Sequence, residues 1–385
     1  MAKRLIPSTL IVSHLLVLSA HAGPSQYPGP NLPRATPRPI VSSTKEEPKP
    51  HKYTESWELY TAPDPLEAIA SQKVHTKDQI LCLVEKGQEH GVHLNTKLRQ
   101  GGDSRLNEYY MGLLAMASYL PYSLAKEVAA KMDLGIKPVS VKKDPGQHFT
   151  LPCGNILDDF TASTQGFYWE GPDFVTMSYR GTEQSEGLAD FRTDLQLLDG
   201  KMESHRFGPV PPGAYGSAML AWPTFEKYLK GNSKPIFITG HSLGGWAARL
   251  AAGSMRNYVD RKIVPDQYDL RGVYTFGEPR LPQQFTDYYN KITQTTLSGM
   301  PMQDYRVIND DDGVVNVGLG NSHAGIPVAY CKQGRFVGAA AKGCTPASMF
   351  SALTHPGQSL EDHYMINYMD SISKGLGFDV SSCMK

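Results

Sequence analysis

The sequence lacks an excess of charge of either sign, a paired-cysteine metal motif and any long apolar run beyond its N-terminus. Its 385 residues include 38 basic and 38 acidic side chains, so the formal net charge is zero. Proteins that bind nucleic acid usually present a basic face, and this balance argues against that class of partner. A membrane-spanning helix needs about 20 apolar residues, so no transmembrane segment is expected in the body of the chain. No metal, nucleotide or flavin signature is present, and no cofactor is expected.

Residues 1–22 are predicted to be a signal peptide. Lys3 and Arg4 form a basic start, the run from Leu5 to Ser19 is mostly apolar, and Ala20-His21-Ala22 supplies a small-x-small cleavage site. An uncleaved anchor is the alternative, but the apolar run is short for that role. The mature protein is therefore expected to be secreted and extracellular.

Secretion changes the interpretation of the cysteines, because oxidising surroundings favour disulfides over metal sites. Cys331 and Cys344 are close in sequence with glycines between them, which predicts a local disulfide. The odd total leaves at least one free thiol or an intermolecular partner. The five cysteines are Cys82, Cys153, Cys331, Cys344 and Cys383.

Composition divides the rest of the chain into three parts. Residues 23–50 are rich in Pro, Ser, Thr, Lys and Glu, which is typical of an extended linker or pro-segment. Residues 51–103 form a predicted helical extension with one apolar patch, Ile80 to Val84, and are either a pro-region or an extension packed on the main domain. The main domain is predicted to comprise residues 104–385.

Strand and helix patterns alternate along the main domain. A helix is predicted to begin near Ser104, and Gly171-Pro172-Asp173 is predicted to join two strands, Gly166 to Glu170 and Phe174 to Arg180. Helical stretches separate the later strands, the clearest being Leu243 to Arg256. This alternation predicts a mostly parallel sheet. The later strands are Pro235 to Thr239, Gly272 to Phe276 and Tyr305 to Ile308.

The strongest chemical motif is Gly240-His241-Ser242-Leu243-Gly244, which lies between an apolar strand and an Ala-rich helix. A nucleophile elbow has this strand, sharp turn and helix, with small residues where another backbone passes close by. A purely structural glycine-rich turn is the alternative. The functional interpretation makes Ser242 a nucleophile and the N–H of Leu243 an oxyanion donor at a positive helix end.

A serine nucleophile needs a base and an acid that orients the base. In the α/β-hydrolase order the acid and then the histidine follow the serine, and His363 stands near the C-terminus after an acidic pair. Residue chemistry alone leaves the acid open, because a run of aspartates is also typical of a solvated turn or a calcium loop. The candidates are Asp310, Asp311 and Asp312, and the other downstream histidines are His323 and His355.

Four separated blocks jointly resemble the class 3 lipase family of filamentous-fungal lipases and feruloyl esterases. The resemblance implies an α/β-hydrolase fold, with a mostly parallel central sheet flanked by helices, and a Ser-His-Asp triad. The blocks are Tyr179-Arg180-Gly181-Thr182, the elbow at Ser242, Val273-Tyr274-Thr275-Phe276-Gly277-Glu278-Pro279-Arg280, and Asp362-His363.

The resemblance also assigns individual residues. The family's acid opens a D-x-V-P or D-G-I-P turn, which selects Asp312 of Asp312-Gly313-Val314-Val315, although Val315 replaces the family's proline. Thr182 is implied as the second oxyanion donor. His323 is interpreted as a packing or hydrogen-bonding residue, and His241 as a buried turn residue.

A lid is implied after Thr182, followed by Asp190-Phe191-Arg192-Thr193-Asp194 in place of the family's N-W-x-x-D-like motif. The loop from Glu183 to Ala189 is acidic and polar, whereas a lid that opens onto lipid is expected to carry a larger apolar face. Strong interfacial activation is therefore not expected.

The sequence predicts a carboxylic ester hydrolase that resembles triacylglycerol lipases. Its expected substrates are triacylglycerol or related glycerolipids, free or at an interface, cleaved through an acyl-enzyme. The alternative is a feruloyl-type esterase acting on plant cell-wall esters. Other classes are a non-catalytic binding protein on a hydrolase scaffold and a secreted peptidase, but every triad member is present and nothing resembles a peptide pocket.

Overall fold

The computed structural model describes residues 76–98, 103–140, 164–181, 202–204, 208–210, 212–260, 268–293, 302–310, 312–316, 322–332, 334–344 and 362–385. All of them fall within one compact unit, Tyr60–Lys385. The predicted signal peptide, the Pro-rich segment, the predicted lid loop from Glu183 to Ala189 and the motif from Asp190 to Asp194 lie outside the described residues.

Three of the helices among the described residues match segments that the sequence predicted to be helical. The predicted helix near Ser104 begins at Arg105, and the predicted helix from Leu243 extends to Asp260. None of these helices is long and apolar enough to cross a bilayer. The helices are α1 Lys77–Glu89, α2 Arg105–Ala117, α3 Tyr122–Lys131, α4 Pro212–Leu229, α5 Leu243–Asp260, α6 Gln283–Thr293 and α7 Met365–Leu376.

The strands form one eight-stranded sheet and a separate two-stranded ribbon made of β4 and β5. The strands are β1 Gly135–Ser140, β2 Thr164–Glu170, β3 Val175–Tyr179, β4 Met202–Ser204, β5 Gly208–Val210, β6 Ile236–His241, β7 Leu270–Phe276, β8 Gln303–Asn309, β9 Ile326–Cys331 and β10 Gly334–Val337.

The large sheet has the order β1-β2-β3-β6-β7-β8-β9-β10. Strands β3, β6, β7, β8 and β9 run parallel, and antiparallel strands flank them at both edges. The predicted hairpin is present, with Glu170 opposite Val175. The prediction of a mostly parallel sheet is therefore confirmed, and parallel strands bring their carboxyl ends to one edge of the sheet.

Apolar cores lie on both faces of the sheet, as expected when helices cover both sides of parallel strands. Strand β6 shows the alternation, because Ile236 and Ile238 pack with α4, α5 and α6, whereas Phe237 packs with α1, α2, α3 and α7. The two layers therefore bury the central strands on both faces.

Helix α1 contains the predicted apolar patch. Thr76 begins it with a capping box to Gln79, and the buried residues Ile80, Leu83 and Val84 join the core of α2 and α3. The hydroxyl of Tyr109 donates to the Leu83 carbonyl at 2.9 Å. The segment therefore packs on the helices that follow residue 104.

Two disulfides are present among the described residues. The predicted pair Cys331–Cys344 is confirmed. The second disulfide, Cys82–Cys383, joins α1 to the C-terminal turn across 301 residues of sequence. Sequence reasoning did not pair these two, because nothing local connects them. Cys153 lies outside the described residues.

Candidate active site

The elbow has the predicted strand, turn and helix. Strand β6 ends at His241, α5 begins at Leu243, and Ser242 between them has φ 58°. A non-glycine residue in this left-handed region is strained by about 1–3 kcal/mol. The Ser242 N–H donates to the Phe276 carbonyl at 2.9 Å, which fixes the turn against the end of β7.

Glycine is required on both sides of Ser242. A Cβ at Gly240 would collide with the Gly244 carbonyl, and a Cβ at Gly244 would collide with the Tyr179 carbonyl at the end of β3. The motif predicted that another backbone passes close to the turn. That backbone is the end of β3, together with the first turn of α5.

Asp312 and His363 meet in the interior beside the elbow. The Nδ1 atom of His363 lies 2.9 Å from Oδ2 of Asp312, and both side chains are buried. The other carboxylate oxygen of Asp312 accepts the N–H of Val314 at 2.9 Å. A carboxylate only accepts, so Nδ1 of His363 carries the hydrogen. Asp310 lies at the end of β8, where its N–H donates to Tyr330, and Asp311 lies outside the described residues.

Two further residues shape the pair: Tyr368, which sequence reasoning missed, and Gly277, which it identified only as part of the Val273–Arg280 block. The hydroxyl of Tyr368 donates to Oδ2 of Asp312 at 2.5 Å, and burial together with the Asp312 charge raises the pKa of Tyr368 well above its ordinary value. A Cβ at Gly277, which has φ 57°, would lie 2.7 Å from the His363 ring and 3.0 Å from Asp312. Only glycine fits there. Tyr368 stands five residues after His363, and a tyrosine at that place gave no chemical signal in the sequence.

His241 is buried, as predicted, but its ring has two polar partners. Its Nε2 atom lies 2.7 Å from the His363 carbonyl oxygen, and its Nδ1 atom lies 2.8 Å from the Tyr119 hydroxyl. The two histidine rings are 4.5 Å apart. The residue before Ser242 is therefore bonded directly to the backbone of His363.

The predicted oxyanion donors are only partly described. Leu243 is the first residue of α5, where backbone N–H groups have no partner within the helix. Thr182 lies outside the described residues. Its neighbour Gly181 lies against the elbow, because a Cβ there would be 2.6 Å from the His241 carbonyl and 3.1 Å from the Ser242 Cβ.

Beneath the elbow, Arg249 of α5 forms a fully buried ion network. It binds the carboxylates of Glu278 and Asp304 and the hydroxyl of Thr275. Burial opposes its charge, but the two carboxylates raise the pKa of Arg249 well above its ordinary value. Glu278 belongs to a block identified in the sequence, whereas its partner on α5 was not predicted. The network ties α5 to β7 and β8.

The other histidines have different surroundings. Burial and the nearby charges of Arg306, Arg280 and Arg249 lower the pKa of His323 to about 2, so that its ring is neutral. This agrees with a packing role. His355 lies outside the described residues. Among the described residues, no group of three or more His, Cys, Asp or Glu side chains is arranged to hold a metal ion.

Residues 176–321 match the family model described as Lipase (class 3). The fold is that of an α/β hydrolase, and the protein is a carboxylic ester hydrolase. This match confirms the resemblance to the class 3 lipase family that the sequence motifs indicated. It includes the Tyr179 block, the elbow and the turn at Asp312, whereas His363 lies beyond it.

The chain is also similar to solved structures of fungal lipases. Rhizomucor miehei triacylglyceride lipase is 20% identical, with 69% of this chain and 97% of that chain covered and a TM-score of 0.46. Lip2 lipase from Yarrowia lipolytica is 17% identical, with 69% and 95% covered and a TM-score of 0.44. Lipase from Rhizopus microsporus var. chinensis is 18% identical, with 66% and 87% covered and a TM-score of 0.42.

Proposed function

We propose that the protein is a secreted serine esterase that hydrolyses triacylglycerol or related glycerolipids through an acyl-enzyme. Ser242 is the nucleophile, His363 the general base and Asp312 the acid that orients it. The observation that carries this proposal is the buried Asp312–His363 hydrogen bond beside a strained serine at a strand–helix turn.

The reaction follows from these positions. Asp312 holds the hydrogen on Nδ1 of His363, which leaves Nε2 to accept the proton of the Ser242 hydroxyl as Oγ attacks the ester carbonyl. The N–H groups of Leu243 and Thr182 stabilise the oxyanion. His363 then donates the proton to the departing alcohol. Water, activated by the same imidazole, releases the carboxylic acid and regenerates Ser242.

Secretion is supported by the chain's own chemistry. Residues 1–22 have the pattern of a signal peptide, and disulfides persist mainly in oxidising compartments. The Cys82–Cys383 disulfide also keeps α1 covalently attached if the chain is cut between α1 and α2. We therefore expect α1 to remain part of the mature enzyme.

The substrate class is tested by comparing three esters. Purified enzyme is assayed on p-nitrophenyl butyrate, triolein and methyl ferulate, with Ser242→Ala as the blank for each. The proposal predicts turnover of the first two and little of methyl ferulate. Rapid hydrolysis of methyl ferulate with triolein untouched would instead favour a feruloyl-type esterase, the alternative that the polar loop from Glu183 to Ala189 supports.

The same polar loop predicts weak interfacial activation. Full burial of Leu188, its largest apolar side chain, is worth only about 2–3 kcal/mol, and Glu183 and Glu186 oppose an anionic surface. Tributyrin hydrolysis measured across the solubility limit is therefore expected to rise smoothly. A steep rise from near zero at that limit would show that another apolar segment acts as the lid.

A further inference from the structure

Three hydrogen bonds link Gly181, Tyr119, His241 and His363 in series, and His241 takes part in two of them. A carbonyl oxygen only accepts, so the bond to the His363 carbonyl requires the hydrogen of His241 on Nε2. In the neutral ring Nδ1 then accepts, and the Tyr119 hydroxyl, 2.8 Å away, is its donor. The tautomer is thus assigned from the partners.

The third bond is at the other end of the series. Gly181 lies against the Tyr119 hydroxyl, because a Cβ there would collide with the Tyr119 oxygen. Burial raises the pKa of Tyr119, and a hydrogen bond from the backbone N–H of Gly181 offsets only part of that rise. The phenol therefore keeps its hydrogen and donates it to His241. Gly181 directly precedes Thr182, the residue assigned to the oxyanion hole. The series of bonds starts at Gly181, passes through Tyr119 just after α2 and His241 at the elbow, and ends at the backbone carbonyl of His363.

His363 lies outside regular secondary structure, since α7 begins only at Met365. Its backbone is held instead by side chains from two strands. His241 of β6 bonds the carbonyl of His363, and Asn309 of β8 bonds the preceding carbonyl, that of Asp362, at 2.9 Å. Asp312 orients the ring, and these bonds fix the backbone that carries the ring.

We propose that His241 and Tyr119 are positioning residues that set the oxyanion loop, the nucleophile and the base at fixed separations. This inference rests on the triad proposed above. A displacement of about 1 Å at a reacting group costs on the order of 100-fold in rate. Removing the His241–His363 bond is therefore expected to lower kcat and to leave KM nearly unchanged, because the bond joins two groups of the protein and acts on the position of the base.

Two substitutions at His241 separate its two bonds. In His241→Gln the amide nitrogen takes the place of Nε2 and can still donate to the His363 carbonyl. In His241→Asn the amide oxygen takes the place of Nδ1 and can still accept from Tyr119, but the bond to His363 is lost. Tyr119→Phe removes the donor to His241 and the acceptor of the Gly181 N–H together.

The readouts are kcat and KM on p-nitrophenyl butyrate, the rate of fluorophosphonate labelling at Ser242, and Tm. We expect His241→Asn to lose about 100-fold in kcat, Tyr119→Phe about tenfold, and His241→Gln less than about fivefold, with KM within about threefold throughout. The matched controls are His90→Gln and His90→Asn. His90 is an exposed residue that directly follows α1, and its ring stacks on Phe378 and not on a residue of the triad.

The proposal is overturned if His241→Asn keeps full kcat, or if His241→Gln and His241→Asn lose activity equally and in step with Tm. The second result would make the role purely structural. Should an Asn variant not fold, Tyr119→Phe decides by itself, since an unchanged kcat there contradicts the proposal. Failure of the proposed triad is distinguishable, because wild-type enzyme would then show no labelling at Ser242 whatever happens at His241.

Discussion

The active-site edge of the sheet and the terminal cap packed on α2 and α3 are stabilised in different ways. At the edge, which comprises Ser242, His241, Asp312 and His363, buried polar groups are held by hydrogen bonds. The cap consists of α1 and the C-terminal turn Ser381–Met384, and it is held by apolar packing and the Cys82–Cys383 disulfide. Hydrogen bonds fix atoms to within fractions of an ångström, whereas packing and a crosslink add stability. Changes at the edge should therefore affect rate, and changes in the cap should affect stability.

The largest expected effect on rate is at the nucleophile. Ser242→Ala should lower kcat by about a million-fold, because no other group can form the acyl-enzyme. Tm should hardly change. Ser382→Ala in the cap is the matched control and should keep full activity. More than a few per cent of residual activity in pure Ser242→Ala would show that the nucleophile lies elsewhere.

The next largest effect separates the acid from its neighbours. Asp312→Asn should lower kcat by roughly 10⁴, because an amide stabilises the wrong tautomer of His363. Asp310→Asn should leave kcat within about a few-fold, because the carboxylate that bonds Nδ1 of His363 is that of Asp312. Steady-state kinetics on both variants checks this. Similar losses at Asp310, Asp311 and Asp312 would indicate a structural turn instead.

A smaller effect is expected from the hydroxyl that supports the acid. Tyr368→Phe removes the 2.5 Å bond to Asp312 but leaves the bonds from Val314 and His363. A hydrogen bond to a charged group is worth about 1.5 kcal/mol, so kcat should fall roughly tenfold. A loss as large as that of Asp312→Asn would mean that Tyr368 itself takes part in proton transfer.

The buried ion network beneath the elbow belongs to neither region, and its test has stability as the readout. Arg249→Met would leave Glu278 and Asp304 buried without their cation, which should cost about 3–5 kcal/mol of unfolding free energy. Denaturant unfolding measures this loss. If stability were unchanged, those two carboxylates would have to find other partners or take up protons.

The smallest effect on rate is expected in the cap. Replacing both Cys82 and Cys383 by Ala should leave kcat unchanged, while loop entropy predicts a stability loss of about 6 kcal/mol. The matched control is Cys331→Ala with Cys344→Ala, where the shorter loop predicts about 3 kcal/mol. A fall in kcat for the first pair alone, measured well below its Tm, would show that the cap also positions the active site.

The two regions also differ in how far the sequence predicts them. The elbow is recognisable because strand, turn and helix are consecutive in sequence. Gly240 and Gly244 also mark the two places where a neighbouring backbone leaves no room for a Cβ. The acid could be chosen among three neighbouring aspartates only through its turn motif. Most of the fold could therefore be predicted from local periodicity and turn chemistry.

What the sequence could not predict depends on contacts between distant residues. Tyr119 meets His241 across 122 positions, and Cys82 meets Cys383 across 301. Tyr368 gave no signal beyond helical spacing. Such pairs depend on how helices dock on the sheet, which no local pattern records.

The most direct test of the central claim is fluorophosphonate labelling, with the intact mass and the modified peptide measured. The account predicts one phosphonyl group per chain, on Ser242, with labelling abolished in Ser242→Ala, greatly slowed in His363→Ala and unchanged in the variant that lacks the Cys82–Cys383 disulfide. No label on folded enzyme, or a label on a different residue, would contradict it.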